Sequence, residues 1–172
     1  TEHQGHGTEL TKALAPQSDM IVSVGGDGTH NEVINGLCEA GKPIFPKLKF
    51  GILSLGTGGD FRRSLGISAN PKEALRQLKQ GKVKNIDLGE LYYRDFSGRE
   101  RHRYFANVFS FGLGGLTDAL VNSSPKIFGG RVSFLLGILR ALLKYRAREI
   151  SIVQDGKSLF TGKIINVALA NG

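Results

Sequence analysis

The sequence predicts an α/β fold: a first half of βα units on a largely parallel sheet, then a second half richer in β-strand. Three observations carry this reading. Two short apolar runs each end directly in a glycine loop, a helical apolar period follows the first loop, and beyond residue 82 the pattern changes to strand-like runs divided by turn residues.

The first unit is Met20-Ile21-Val22-Ser23-Val24, then Gly25-Gly26-Asp27-Gly28-Thr29, then a helix on which Val33, Ile34 and Leu37 share one face. Phe50 to Leu55 forms a second buried strand, ending in Gly56-Thr57-Gly58-Gly59-Asp60-Phe61 and a short turn to Leu65. Asn70 caps a third helix with Pro71 in its first position, and Ala74, Leu75 and Leu78 form its apolar stripe before Gly81 stops it. Strands are then expected over Val83–Tyr93, Arg103–Phe111, Ile150–Gln154 and Leu159–Ala170, with hairpin turns at Ser97-Gly98 and Asp155-Gly156. Between them lies a helical insert over about 115–148, where Val132, Leu135, Leu136, Leu139, Leu142 and Leu143 form a broad apolar face.

Composition narrows the function classes. At 172 residues, 40% apolar and 22% charged, the chain suits a globular domain. Gly accounts for 24 residues and Pro for only 5, so the glycine excess marks tight backbone rather than low complexity. A net charge of +8 favours a polyanionic partner such as a nucleotide, an acidic membrane surface or nucleic acid. Nucleic acid is disfavoured, because the aromatics lie in apolar strand and helix patterns rather than among Lys and Arg. One cysteine, Cys38, excludes an internal disulfide framework, and the expected compartment is the cytoplasm. The start Thr1-Glu2-His3-Gln4 does not read as a signal peptide, and further sequence is expected beyond both ends. The most apolar stretch, Ile127 to Leu143, is interrupted by Arg131 and Arg140 and falls short of the roughly 20 apolar residues of a membrane span.

The first loop carries the chemistry. A strand entering Gly25-Gly26-Asp27-Gly28-Thr29 and leaving as a helix aims several N–H groups and a helix N-terminus at one point, which suits phosphate. Asp27 would repel a bare phosphate, so it fits with Mg²⁺ between them or as a base for an attacking hydroxyl. The alternative is a plain βα turn with Asp27 as a cap. In a parallel sheet the second loop would line the same crevice. Neither loop has the Walker sequence or the dinucleotide fingerprint.

The run Val24-Gly25-Gly26-Asp27-Gly28-Thr29-His30-Asn31-Glu32-Val33-Ile34-Asn35-Gly36-Leu37, followed by Leu55-Gly56-Thr57-Gly58-Gly59-Asp60-Phe61, resembles the diacylglycerol kinase catalytic domain family of lipid kinases. Thr1 to Gly7, Ile86-Asp87-Leu88-Gly89 and Tyr104 to Val108 extend the likeness. It implies a Rossmann-like nucleotide-binding domain over residues 1–82, lacking its first strand, and the start of a β-rich second domain over 83–172. The implied activity is phosphoryl transfer from ATP to a lipid hydroxyl. Thr1, Gly25, Gly26, Asp27, Gly28, Thr29, His30, Asn31 and Thr57 match the nucleotide contacts, Asp27 the catalytic position, and Asp27, Asp60 and Asp87 a Mg²⁺ network. Gly59 stands where most relatives have Asn, and a late carboxylate and structural metal site would follow residue 172, so the fragment itself is expected to be inactive. NAD kinases share the first loop, and a non-catalytic nucleotide- or lipid-binding module is the other alternative.

The remaining candidates have plainer readings. His3 and His6 are expected in a solvated polar loop, and Cys38 as a small core residue. Arg99, Arg101, His102 and Arg103 read as solvated charge. Lys144, Arg146 and Arg148 beside the apolar helix would also suit peripheral contact with an anionic membrane holding the lipid substrate. The sequence leaves oligomeric state open, a homo-oligomer included.

Overall fold

A computed structural model of the chain describes residues 1–56, 58–81, 83–95, 97–122 and 130–171. The fold is mixed α/β, and its contacts divide it into two compact units, Thr1–Asn107 with Asn171–Gly172, and Val108–Ala170.

In the first unit, α1 (His6–Leu14) leads through a 3₁₀ turn (Ala15–Gln17) to β1 (Met20–Gly25), α2 (Asp27–Leu37), the two-residue strands β2 (Cys38–Glu39) and β3 (Lys42–Pro43), and β4 (Lys49–Ser54). Strands β1 and β4 pair in parallel, from Met20 opposite Lys49 to Gly25 opposite Ser54, so both glycine loops leave the same end of the pair. The short helix α3 (Asp60–Ser64) follows, then α4 (Pro71–Gln80). Asn70 starts α4 as the sequence predicts, its side chain accepting from the Lys72 and Glu73 N–H groups, with Pro71 in the first turn. Strands β5 (Gly89–Arg94) and β6 (Glu100–Phe105) form an antiparallel hairpin. Ile34, Ile52, Phe61, Tyr104 and Ala106 make the core, with Cys38, Phe50, Leu65, Ile67 and Leu88 packed against it. The Asn35 side chain ties β6 to α2, accepting from the Tyr104 N–H at 2.9 Å and donating to its carbonyl at 3.0 Å.

The second unit holds β7 (Val108–Gly112), α5 (Leu113–Asn122), α6 (Gly130–Lys144), β8 (Arg148–Gln154), β9 (Lys157–Ile164) and β10 (Asn166–Ala170). Strand β7 pairs antiparallel with β10, and β8 with β9. Asp155 and Gly156 both have positive φ at the β8–β9 turn, the backbone a tight hairpin demands.

Several expectations need correction. His6 opens α1 rather than lying in a loop, and it stacks on His3 at 4.7 Å. Within the strand expected over Val83–Tyr93, pairing begins only at Gly89, whose partner is Phe105. The run Arg103–Phe111 breaks at Ala106-Asn107, where the carbonyls accept from Asn171 instead of a strand: Asn171 Nδ2 donates to the Ala106 oxygen at 3.2 Å and Asn171 N to the Asn107 oxygen at 2.7 Å. The run Leu159–Ala170 breaks at Ile165, whose carbonyl accepts from the Leu113 N–H. Of the expected apolar face on α6, Leu135, Leu136, Leu139, Leu142 and Leu143 are exposed, the Val132 side chain lies outside the described residues, and Gly137 and Ala141 are the buried positions among those described. Among the described residues no helix is long and apolar enough to cross a membrane.

Candidate functional site

The site is the junction of the two glycine loops at the end of the β1–β4 pair. Ile52 of β4 is buried in the core and β1 pairs along the whole of β4, so the parallel register brings the loops together as each strand ends. The Leu55 N–H donates to the Gly25 carbonyl at 2.8 Å, carrying the pairing one residue into the loops. Beyond it the backbones touch: a Cβ on Gly56 would lie 2.6 Å from the Gly26 Cα, and one on Gly25 2.7 Å from Thr29 Oγ1. Only glycine fits either place without displacing its neighbour.

Asp27 begins α2 and spans this junction. Its Oδ2 accepts from the Gly59 N–H at 3.0 Å and the Asp60 N–H at 3.1 Å, so the carboxylate caps the start of α3 rather than its own helix. Gly59 has φ +88°, a left-handed backbone that aims these successive N–H groups at one oxygen and that glycine adopts without cost. The other oxygen, Oδ1, is buried and lacks a hydrogen-bond partner among the described residues. Such an oxygen costs about 1–3 kcal/mol unless something supplies a positive charge or a proton. A Mg²⁺ ion meets that need, so the carboxylate fits the metal that the loop chemistry implies. Beside it, the first-turn N–H groups of α2 have no intrahelical acceptors, and a Cβ on Gly28 would meet nothing within 4 Å. There is room for a phosphate group there.

The other expected residues divide. His30 is buried at 1% exposure, its Nδ1 2.8 Å from Ser23 Oγ and its Nε2 3.0 Å from Ser54 Oγ. Burial pushes its pKa below the usual histidine value, against the opposing pull of Asp27. Asn31 lines a cavity of about 300 Å³ with Thr8, Lys12, Glu32, Asn35 and Arg103. The Asp60 carboxylate pairs with Arg63. Asp87 is exposed, and its carbonyl accepts from Asn171 Nδ2 at 2.7 Å. Among the described residues no three His, Cys, Asp or Glu side chains converge to hold a metal. Asp27, Asp60 and Asp87 therefore do not form one ligand set in this structure. Thr1 is exposed at the start of the chain, and Thr57 lies outside the described residues.

Three residues that the motifs do not single out tie together the elements around the junction. Glu32, one helical turn past the loop, accepts from the Gly5 N–H at 2.8 Å and the Gly7 N–H at 3.0 Å, pinning the start of α1 to α2. Its signal in sequence is a carboxylate on the first turns of a helix opposite a Gly-x-Gly segment. Ser23 and Ser54 are polar residues within apolar strands, a pattern that marks a buried hydrogen-bond partner. Cys38, the extended residue that follows α2 and opens β2, is half-buried against the core, and burial pushes its thiol pKa up.

The chain is similar to known proteins over nearly its whole length. Residues 1–91 match the diacylglycerol kinase catalytic domain. The chain is 34% identical over 168 residues to a diacylglycerol kinase of Bacillus subtilis (strain 168), covering 94% of this chain and 49% of the relative. It is 31% identical over 166 residues to a diacylglycerol kinase of Staphylococcus aureus (strain JH9), covering 96% and 48%. A crystal structure of a protein assigned as a diacylglycerol kinase from Bacillus anthracis (strain Sterne) superposes with a TM-score of 0.70 at 26% identity, covering all of this chain and 54% of that one. The chain thus spans about half the length of the curated relatives it matches.

Proposed function

Because the chain belongs to the diacylglycerol kinase catalytic domain family, we propose that it carries the nucleotide side of an ATP-dependent lipid kinase. The observation that carries this reading is the buried, unpartnered Oδ1 of Asp27 at the meeting point of two glycine loops. In this reading residues 1–82 are the Rossmann-like nucleotide-binding domain and 83–172 belong to a β-rich acceptor domain.

The first-turn N–H groups of α2 and the open space over Gly28 bind the phosphates. Asp27 is held by two N–H groups through Oδ2, which leaves Oδ1 free to face a Mg²⁺ ion or the proton of an acceptor hydroxyl. Bound Mg²⁺ would offset phosphate charge, while the rigid junction fixes the direction of approach. Asp60 supports the site through its N–H, and a Mg²⁺ role for its carboxylate or that of Asp87 requires them to turn toward the junction. The exposed Leu135, Leu139, Leu142 and Leu143, with Lys144, Arg146 and Arg148 following, suit shallow contact with an anionic membrane where a lipid substrate lies.

The test is phosphoryl transfer by the protein carrying this chain, using γ-labelled ATP, Mg²⁺ and micelles of diacylglycerol, sphingoid base, ceramide or phosphatidylglycerol, with NAD as a separate acceptor. Label in one lipid, lost in Asp27→Asn, is the expected result. Label in NAD alone, or ATP binding with no transfer, overturns it in favour of an NAD kinase-like enzyme or a binding module.

A further inference from the structure

The two glycine loops are braced from below by a side-chain bridge. His30 lies one turn into α2, nearly inaccessible to solvent, with Ser23 Oγ of β1 at 2.8 Å from one ring nitrogen and Ser54 Oγ of β4 at 3.0 Å from the other. Ser23 lies two residues before Gly25, and Ser54 is the residue paired with Gly25. A neutral imidazole has one donor and one acceptor nitrogen, so one serine hydroxyl accepts from the ring and the other donates to it. The bridge therefore joins three elements, the two strands that launch the loops and the helix that begins with Asp27.

We infer that His30 is a positioning residue for nucleotide binding, holding the two glycine loops at the separation that keeps Asp27 Oδ2 on the Gly59 and Asp60 N–H groups. This rests on the reading of the junction as an ATP site. The physical reason is leverage. A Cβ on Gly56 would lie 2.6 Å from the Gly26 Cα, and the Asp27 contacts are at 3.0 and 3.1 Å. A shift of a few tenths of an ångström between the strand ends would stretch both contacts past the usual hydrogen-bond range and weaken the second loop's hold on the carboxylate. The motif alone assigns position 30 to the ligand, whereas the structure commits both ring nitrogens to the protein.

The test is a calorimetric titration of Mg·ATP into the protein carrying this chain and three variants, with thermal midpoints and a KM-against-kcat comparison. His30→Leu combined with Ser23→Ala and Ser54→Ala removes the bridge without leaving a buried hydroxyl unpartnered. It is expected to fold while weakening ATP binding by about tenfold. His30→Gln, whose amide offers one donor and one acceptor group, should recover most of the affinity. Ser54→Ala keeps the imidazole and its Ser23 bond, so it tests the link to β4 even if the triple variant fails to fold, and it should weaken binding by about threefold. Wild-type protein that binds Mg·ATP alongside a Ser54→Ala variant of unchanged affinity overturns the positioning role alone. Wild-type protein that binds no Mg·ATP overturns the nucleotide reading and this inference with it.

Discussion

The Gly59 N–H donates to Asp27 Oδ2 across 3.0 Å, so the second glycine loop orients the carboxylate of the first. The same oxygen takes the Asp60 N–H, leaving Oδ1 buried with no hydrogen-bond partner among the described residues. A side chain at the start of α2 is therefore fixed by backbone 32 residues away.

Asp27→Asn separates chemistry from folding. The amide oxygen can still accept from both N–H groups while the NH₂ takes the place of Oδ1. Stability by denaturant titration should change by no more than about 1 kcal/mol, while label transfer to lipid should vanish. Persisting transfer would remove Asp27 from the reaction.

Gly56 and Gly28 should respond oppositely to alanine. A Cβ at Gly56 meets the Gly26 Cα at 2.6 Å, backbone against backbone, so Gly56→Ala should destabilise by about 1–3 kcal/mol and weaken ATP binding. A Cβ at Gly28 meets nothing within 4 Å and sits in a helix, so Gly28→Ala should leave the fold unharmed or up to about 1 kcal/mol more stable. Its cost should appear only in nucleotide affinity, if the phosphates occupy that space.

Asn70→Ala removes the acceptor for the Lys72 and Glu73 N–H groups at the start of α4. The expected loss is about 1 kcal/mol of stability, read by thermal unfolding, with no change in ATP affinity.

Asp95 supplies a pH prediction. Its carboxyl is held down to about 2, first by the Ser97 hydroxyl and then by Arg101, with the Arg99 and Ser97 N–H groups adding to them. A depressed carboxylate stabilises the folded form fully above its ordinary value of 3.8, and that contribution is lost as pH falls toward about 2. Carboxyl NMR of Asp95 should titrate near 2, and Arg101→Ala should raise the midpoint. A midpoint at the ordinary value in the unaltered protein would exclude the observed turn contacts in solution.

What was legible in sequence was local. The run Met20–Val24, the glycines and the Val33, Ile34, Leu37 spacing announce a strand, a loop and a helix because period and turn chemistry are written in neighbouring residues. The Asn70-Pro71 start of α4 was readable for the same reason. Pairing was not. Leu159 to Ala170 reads as one strand, yet β9 pairs with β8 and β10 with β7, and nothing in Ile165 declares that its carbonyl will accept from Leu113. At the site, Asp27 stood out by its odd company of glycines. The capping of its Oδ2 by the second loop, and the roles of Glu32, Ser23 and Ser54, depend on contacts between distant segments that no spacing records.

The Asn171 contacts bear on how much the chain can change. Its N–H meets the Asn107 carbonyl at 2.7 Å, while its side chain grips the Asp87 and Ala106 carbonyls, so residues 108–170 depart from and return to a single closed neck. In chain order that stretch is a single insertion between two residues of the first unit. Doubling the length of a flexible excursion costs only about 0.6 kcal/mol in closure entropy. At that rate, extra loop length inside the insertion costs little closure entropy while the Asn171 contacts hold. Variation in loop length between Asn107 and Asn171 is therefore a change that the closure at Asn171 admits at low cost.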